Sequence, residues 1–312
     1  MAINKFMHAA LKALSYREVD LKKNYKLYRT VNSKVVTPVK LFYKISDFKI
    51  NLDDENIPIR IFYPREQTSD EVFLFFHGGG WVIGDIDTYT KPCASLADAT
   101  GRRVMSVDYR LAPEHPFPCG LRDCYHAAMT ICKNSEAFDL NPENIILIGD
   151  SAGANLAACV NLAARDNNDF IFKNQILMYP ATWNDHSDNS VFDSVRLYGK
   201  EYLLTSKRIC DYVDLYIQNP DDLFNPYFAP LLSDDLSNQP RTLLITAEYD
   251  PLRDEGEAYG EKLQNFGNEV EFYRMKDALH GFFSLPKRFV HVKRTYELIL
   301  SFLDRQNYEV ER

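Results

Sequence analysis

Short apolar blocks of four or five residues recur along the chain from about residue 70. Val72-Phe73-Leu74-Phe75-Phe76 is one, Val104-Met105-Ser106-Val107 another, and Ile145-Ile146-Leu147-Ile148 the clearest. Gln175-Ile176-Leu177-Met178-Tyr179, Thr242-Leu243-Leu244-Ile245-Thr246 and Val270-Glu271-Phe272-Tyr273 continue the series. Blocks of this length without alternation predict strands buried on both faces. Between them, helical spacing predicts helices near residues 88–100, 120–133, 153–165, 254–266 and 288–306. Strand–helix alternation predicts an α/β fold with a mostly parallel sheet between helices. Ile45 to Tyr63 predicts an antiparallel edge pair, turning near Asp53-Asp54-Glu55-Asn56.

Two segments break the alternation. Residues 1–44 are helical in pattern and rich in Lys and Tyr. Residues 182–225 mix Trp183, Phe192, Tyr198, Tyr202, Tyr212, Tyr216 and Phe224 with polar positions. The division expected is a core over 45–312, interrupted by an insertion at about 182–225, with 1–44 as an N-terminal cap segment. Both irregular segments are read as a small helical cap over the carboxyl edge of the sheet, where α/β ligand sites form. A plain crossover helix with loops is the alternative. No internal repeat or low-complexity tract is visible.

In the first twelve residues, Lys5, His8 and Lys12 interrupt any apolar run too early for a secretory signal. An amphipathic helix is expected there, with Phe6, Ala9, Ala10, Ala13 and Leu14 on one face. No stretch has the length of a membrane span, so a cytoplasmic location is the default.

Of the 312 residues, 46% are hydrophobic and 26% charged, with a net charge of −8. That describes a folded globular chain. An acidic chain without a basic stripe is a poor nucleic-acid binder. The six cysteines form no C-x-x-C pair or zinc spacing and read as reduced thiols acting as small hydrophobes.

The candidate chemistry follows the strand ends. Gly149-Asp150-Ser151-Ala152-Gly153 joins the 145–148 strand to a helical run. A serine on such a tight turn is lifted off the strand end as a nucleophile, with the Ala152 N–H beside the reacting oxygen; the bland reading is a helix-capping serine. A serine needs a base, and the base an orienting acid, in the chain order Ser, acid, His. After Ser151 the histidines are His186, His280 and His291. His186 precedes the candidate acids and His291 falls in the last helix, so His280, on a loop after a strand, is favoured. Asp250 follows a strand end, but Glu248 and Asp254 compete, and Asp250 could be a plain helix cap. His77-Gly78-Gly79-Gly80-Trp81 follows the 72–76 strand, and consecutive glycines let backbone N–H groups approach a ligand. No G-K-[ST] or G-x-G-x-x-G continuation supports a phosphate loop. His77 itself reads as a structural hydrogen-bonder.

These motifs, with Asp108-Tyr109-Arg110-Leu111-Ala112-Pro113-Glu114-His115-Pro116-Phe117-Pro118, Asp250-Pro251-Leu252-Arg253-Asp254-Glu255 and His280-Gly281-Phe282, resemble the hormone-sensitive-lipase-like family of α/β-hydrolase esterases. The resemblance covers about residues 45–305 and is strongest to the bacterial acetyl-esterase branch. It implies Ser151 as nucleophile, His280 as base and Asp250 as orienter. It also implies an oxyanion hole at Gly78, Gly79, Gly80 and Ala152, in which the last three donate and Gly78 shapes the loop. The Tyr109–Pro118 segment would brace that loop; Cys119-Gly120 departs from the small alanine-like residues usual there. The implied activity is hydrolysis of short acyl esters, acetyl to butyryl, without metal or cofactor. An amidase or peptidase with the same triad, and a small-molecule receptor lacking the histidine, are the rival classes. The partners expected are a small ester, no nucleic acid and no membrane, with a homodimer left open.

Overall fold

The computed structural model describes Lys12, Ser15 and residues 21–34, 43–51, 56–170 and 172–310, without the side chains of 31–34 and 305–310. The expected apolar face at Phe6–Leu14 and most of the Asp53–Asn56 turn lie outside the described residues. Among the described residues the strands are β1 (Ile45–Asn51), β2 (Asn56–Phe62), β3 (Val72–Phe76), β4 (Arg103–Val107), β5 (Ile145–Asp150), β6 (Asn174–Met178), β7 (Arg241–Tyr249) and β8 (Val270–Leu279). The α-helices bounded within the described residues are α1 (Leu21–Lys34), α2 (Thr90–Thr100), α3 (Cys119–Lys133), α4 (Ala152–Asn167), α5 (Asp193–Tyr198), α6 (Ser206–Tyr216), α7 (Arg253–Asn265) and α8 (Val290–Val310).

The strands form one sheet in the order β1-β2-β4-β3-β5-β6-β7-β8. β1 and β2 are antiparallel, as are β2 and β4, and every other pair is parallel. This is the α/β-hydrolase fold. The chain-order predictions for strands and helices hold within a few residues, because β3, β5 and β6 are buried along their whole length. Two core clusters cover the two faces. One packs α2 and α8 under Phe73, Phe75 and Ile148; the other packs α3, α4 and α7 against Leu74, Phe76 and Leu147. None of the six cysteines is paired. No helix among the described residues is long and apolar enough to cross a membrane.

Parallel register brings the strand ends to one edge. Phe76 pairs with Val107 and Gly149, and Asp150 with Met178. One irregularity matters. Ala247 pairs with Met275, but the next recorded pair is Tyr249 with Leu279, so β8 carries two extra residues. At this bulge Asp277 takes a left-handed φ of 59°, and its N–H donates to Glu248 Oε2 at 2.7 Å. Such bulges re-aim the residues that follow. Here the chain continues from Tyr249 to Asp250 and from Leu279 to His280, so the bulge sets those two side by side.

Residues 182–225, between β6 and β7, hold α5 and α6, separated by turns. This segment is tied down at the start of α7: Glu255 is fully buried, accepts the Thr182 and Trp183 N–H groups and pairs with buried His186 at 2.8 Å. Helix α1 lies on α6, where Lys22 meets Asp214 at 2.5 Å. It also reaches the glycine loop, where Arg29 donates to the carbonyls of Val82 at 2.7 Å and Ala112 at 2.6 Å.

Two glycines test the packing. A Cβ on Gly153 would fall on the carbonyls of Phe76 and His77, whereas one on Gly256 would make ordinary contacts from 3.4 Å outward. Gly153→Ala is expected to lose about 1–3 kcal/mol or more through overpacking. Gly256→Ala, inside α7, is expected to gain up to about 1 kcal/mol. Denaturant midpoints of the two variants measure this, and equal midpoints would contradict it.

Candidate active site

The turn after β5 is forced by close packing. A Cβ on Gly149 would strike the backbone of Gly153, and one on Gly153 would strike β3's last carbonyl. Between them Ser151 adopts φ 55° and ψ −121°, a region that costs a non-glycine residue about 1–3 kcal/mol. Its side chain makes no helix-capping bond. Instead Ser151 Oγ lies 2.8 Å from His280 Nε2, so the capping reading is not what the geometry displays.

His280 Nδ1 lies 2.7 Å from Asp250 Oδ2. Asp250 is fully buried, and its other oxygen accepts the Leu252 N–H at 2.9 Å. The carboxylate therefore caps the turn into α7 and faces the imidazole at once. Its rivals are engaged elsewhere. Glu248 holds the β8 bulge, and Asp254 accepts the Ser194 N–H at 2.7 Å and pairs with Arg253. His291 lies in α8 against the Lys276 carbonyl, and His186 is buried against Glu255. The ring of Tyr179 meets His280 edge to face at 4.8 Å.

The glycine loop runs beside this row. Gly79 and Gly80 have φ of 122° and 60°, and the Val82 and Ile83 N–H groups both return to the Gly79 carbonyl. Gly80 abuts the ring of Tyr212, leaving no room for a side chain. The N–H groups of Gly79, Gly80 and Ala152 engage no acceptor among the described residues, and all three line the same cleft. Gly78 differs: its N–H donates to Asp150 Oδ1 at 2.9 Å and lies 3.2 Å from the Tyr89 hydroxyl. That donor is spent inside the protein, so Gly78 shapes the loop and is not itself free to donate to a ligand.

The Tyr109–Pro118 segment supports the loop. Tyr109 donates to the His77 carbonyl at 2.6 Å and stacks on its ring at 4.3 Å, and the Ala112 N–H donates to the Trp81 carbonyl at 2.9 Å. His77 is fully buried, with Nδ1 against the Gly78 carbonyl. Burial pushes its imidazole down to about 4, against a weaker opposing pull from that carbonyl, so it is neutral at pH 7.

Sequence reading missed Asp150. Besides Gly78, this carboxylate accepts the hydroxyls of Tyr89 at 3.0 Å and Tyr179 at 3.3 Å. It links the serine turn to the glycine loop through a side chain 2% exposed. A charge beside a strained turn was the available signal; nothing in the sequence marked Tyr89.

The cleft has a volume of about 230 Å³. Its floor is Gly79, Gly80, Ser151, Ala152 and His280; Leu203, Leu204, Arg208, Ile209 and Tyr212 from α6 and the preceding loop form its other wall. A hydroxyl, an imidazole and free backbone donors around one small cleft are the parts of an acyl-transfer site.

Residues 73–284 match the profile of a family described as alpha/beta hydrolase fold. An arylesterase of Saccharolobus solfataricus is 38% identical over 242 residues, spanning 77% of this chain and 78% of that protein. An ethyl acetate hydrolase of Pseudomonas putida is 32% identical over 243 residues, spanning 76% and 75%. The solved hyperthermophilic esterase from Pyrobaculum calidifontis superposes with a TM-score of 0.87 at 32% identity, covering 98% of this chain and 99% of that one.

Asp150 carries a testable pH dependence. Burial pushes its carboxyl from the ordinary 3.8 up to about 6, against the pull of its hydrogen-bond donors. Below pH ~4 it is protonated in both folded and unfolded chains. From there to pH 6 the unfolded chain loses its proton while the folded chain keeps it, so this group's contribution to stability falls as pH rises. His77, with its lowered value, acts in the opposite sense, but it is present in both wild type and an Asp150 variant. Asp150→Asn is therefore expected to gain on wild type by about 3 kcal/mol between pH 4 and 7, at about 1.4 kcal/mol per pH unit separating the two values. Denaturant titrations at each pH measure the difference; a gap that does not change with pH would contradict it.

Proposed function

Because the chain belongs to the alpha/beta hydrolase family, in its hormone-sensitive-lipase-like group, and is a carboxylic ester hydrolase, we propose that it cleaves esters through an acyl-enzyme on Ser151. His280 Nε2 takes the Ser151 proton as Oγ attacks the ester carbonyl. Asp250 holds the Nδ1–H side of the ring and stabilises the imidazolium that forms. The N–H groups of Gly79, Gly80 and Ala152 receive the developing oxyanion, where one such donor is worth about 3–4 kcal/mol of barrier. His280 then protonates the leaving alcohol, and water repeats the sequence to release the acid. The observation that carries the reading is the unbroken row Ser151–His280–Asp250, at 2.8 and 2.7 Å, with the serine hydroxyl committed to nothing else among the described residues.

The substrate we propose is a short acyl ester, acetyl to butyryl. Support comes from the cleft's small volume, about 230 Å³, and from the ethyl acetate hydrolase among the relatives. The 182–225 insertion together with α1 acts as the cap over this cleft. Six unpaired cysteines support a reducing, cytoplasmic setting.

Ser151→Ala is expected to abolish turnover of p-nitrophenyl acetate while keeping its melting curve. Asp250→Asn is expected to lose about 10⁴ in kcat, because the imidazole loses its orienting charge. Glu248→Gln and Asp254→Asn should stay within about tenfold of wild type, and acetyl to butyryl esters should be cleaved faster than octanoyl or longer ones. A folded Asp250→Asn with near-wild-type kcat would remove Asp250 from the mechanism.

A further inference from the structure

The cleft wall carries a cation that the reaction does not use. Arg208 lies in the first turn of α6 and lines the cleft together with Ser151 and His280. Of the eight other buried or half-buried arginines among the described residues, Arg103 donates to the Phe138 and Asp139 carbonyls and seven meet a carboxylate: Arg29 with Glu114, Arg60 with Asp47, Arg102 with Glu71, Arg110 with Asp123, Arg165 with Asp166, Arg241 with Glu271 and Arg253 with Asp254. Arg208 meets none among the described residues. Its guanidinium lies over the Tyr28 ring of α1, 5.9 Å from the centroid. Its guanidinium N–H groups, which suit carboxylates, donate to no acceptor among the described residues.

Its position sets it beside the chemistry. Arg208 and Tyr212 are one turn apart on the same face of α6, about 6 Å along the axis. Tyr212 abuts Gly80. The guanidinium is also close enough to oppose the rise that burial imposes on the Tyr212 phenol. No lysine lines the cleft, and the carboxylate that does, Asp150, is occupied by Gly78, Tyr89 and Tyr179. In a chain of net charge −8, a lone half-buried guanidinium in an otherwise apolar wall is a selective feature. One positive charge without a second donor cation suits a monoanion rather than a phosphate dianion.

We propose that the preferred ester carries a carboxylate, on its acyl or its alcohol part a few bonds from the scissile carbonyl, and that Arg208 binds it. This rests on the ester hydrolysis proposed above and names its substrate class.

Matched pairs of soluble esters test it at pH 7.5. Monomethyl succinate against methyl 4-oxopentanoate places the charge on the acyl side. 4-Acetoxybenzoate against 4-acetoxybenzamide places it on the alcohol side. The readout is the ratio of kcat/KM for the charged ester to that for its neutral partner, in wild type, Arg208→Gln and Arg208→Lys, each with a melting curve. In one arm the ratio is expected to fall about tenfold or more in Arg208→Gln, chiefly through KM of the charged ester, the scale of a charge-assisted hydrogen bond. Arg208→Lys should retain part of it, and the responding arm identifies the side. Ratios identical in wild type and Arg208→Gln in both arms would overturn the proposal. Failure of wild type to cleave any of the four esters, or equal cleavage by Ser151→Ala, would instead overturn the serine-esterase reading beneath it.

Discussion

The close approach of α4 to the end of β3 is the constraint on which the site depends. Gly153 sits so near the Phe76 and His77 carbonyls that no side chain fits, and Gly149 is as tightly held against Gly153. The turn between them has no relaxed solution for Ser151, which takes φ 55°. Strain of this kind persists only where the surroundings over-determine it. Here they are two fully buried strands, β3 and β5, in parallel register. The same approach sets the serine turn beside the glycine loop, because His77–Gly80 continues directly from the strand that Gly153 touches.

Two further devices complete the geometry, each placed off the reacting atoms. Asp150 bonds the serine turn to Gly78 of the loop and to Tyr89 and Tyr179. Its burial raises its pKa to about 6, so the link has an energetic cost near neutral pH that the three donors offset only in part. The β8 bulge, held by Glu248 against the Asp277 N–H, shifts the register so that His280 falls next to Asp250. An acid that competes with Asp250 on sequence grounds thus supports the Ser151–His280–Asp250 row at one remove.

Much of this was legible in the chain itself. Strands buried on both faces must be apolar throughout, so β3 and β5 stood out without alternation. A glycine-flanked serine between a strand and a helix has few alternative uses, and chain order singled out His280. Position past the strand end and the resemblance favoured Asp250 over Glu248 and Asp254, but the pairing of Tyr249 with Leu279 that sets it beside His280 is encoded by no local pattern. The position of Arg208 was not legible either; it is defined by the carboxylate partners it lacks among the described residues and by the cleft it lines. The insertion was visible only as a region without period, since its aromatics divide between packing, as Trp81 on Tyr216 at 4.8 Å, and lining the cleft, as Tyr212 does.

The decisive question is whether Ser151 is the atom that becomes acylated. A p-nitrophenyl phosphonate forms a stable adduct with a serine activated in this way, and intact-mass measurement followed by peptide mapping locates it. One adduct per chain is expected, on the peptide containing Ser151, with none on Ser151→Ala. Labelling of another serine, or undiminished labelling of folded Ser151→Ala, would contradict the role assigned to the strained turn.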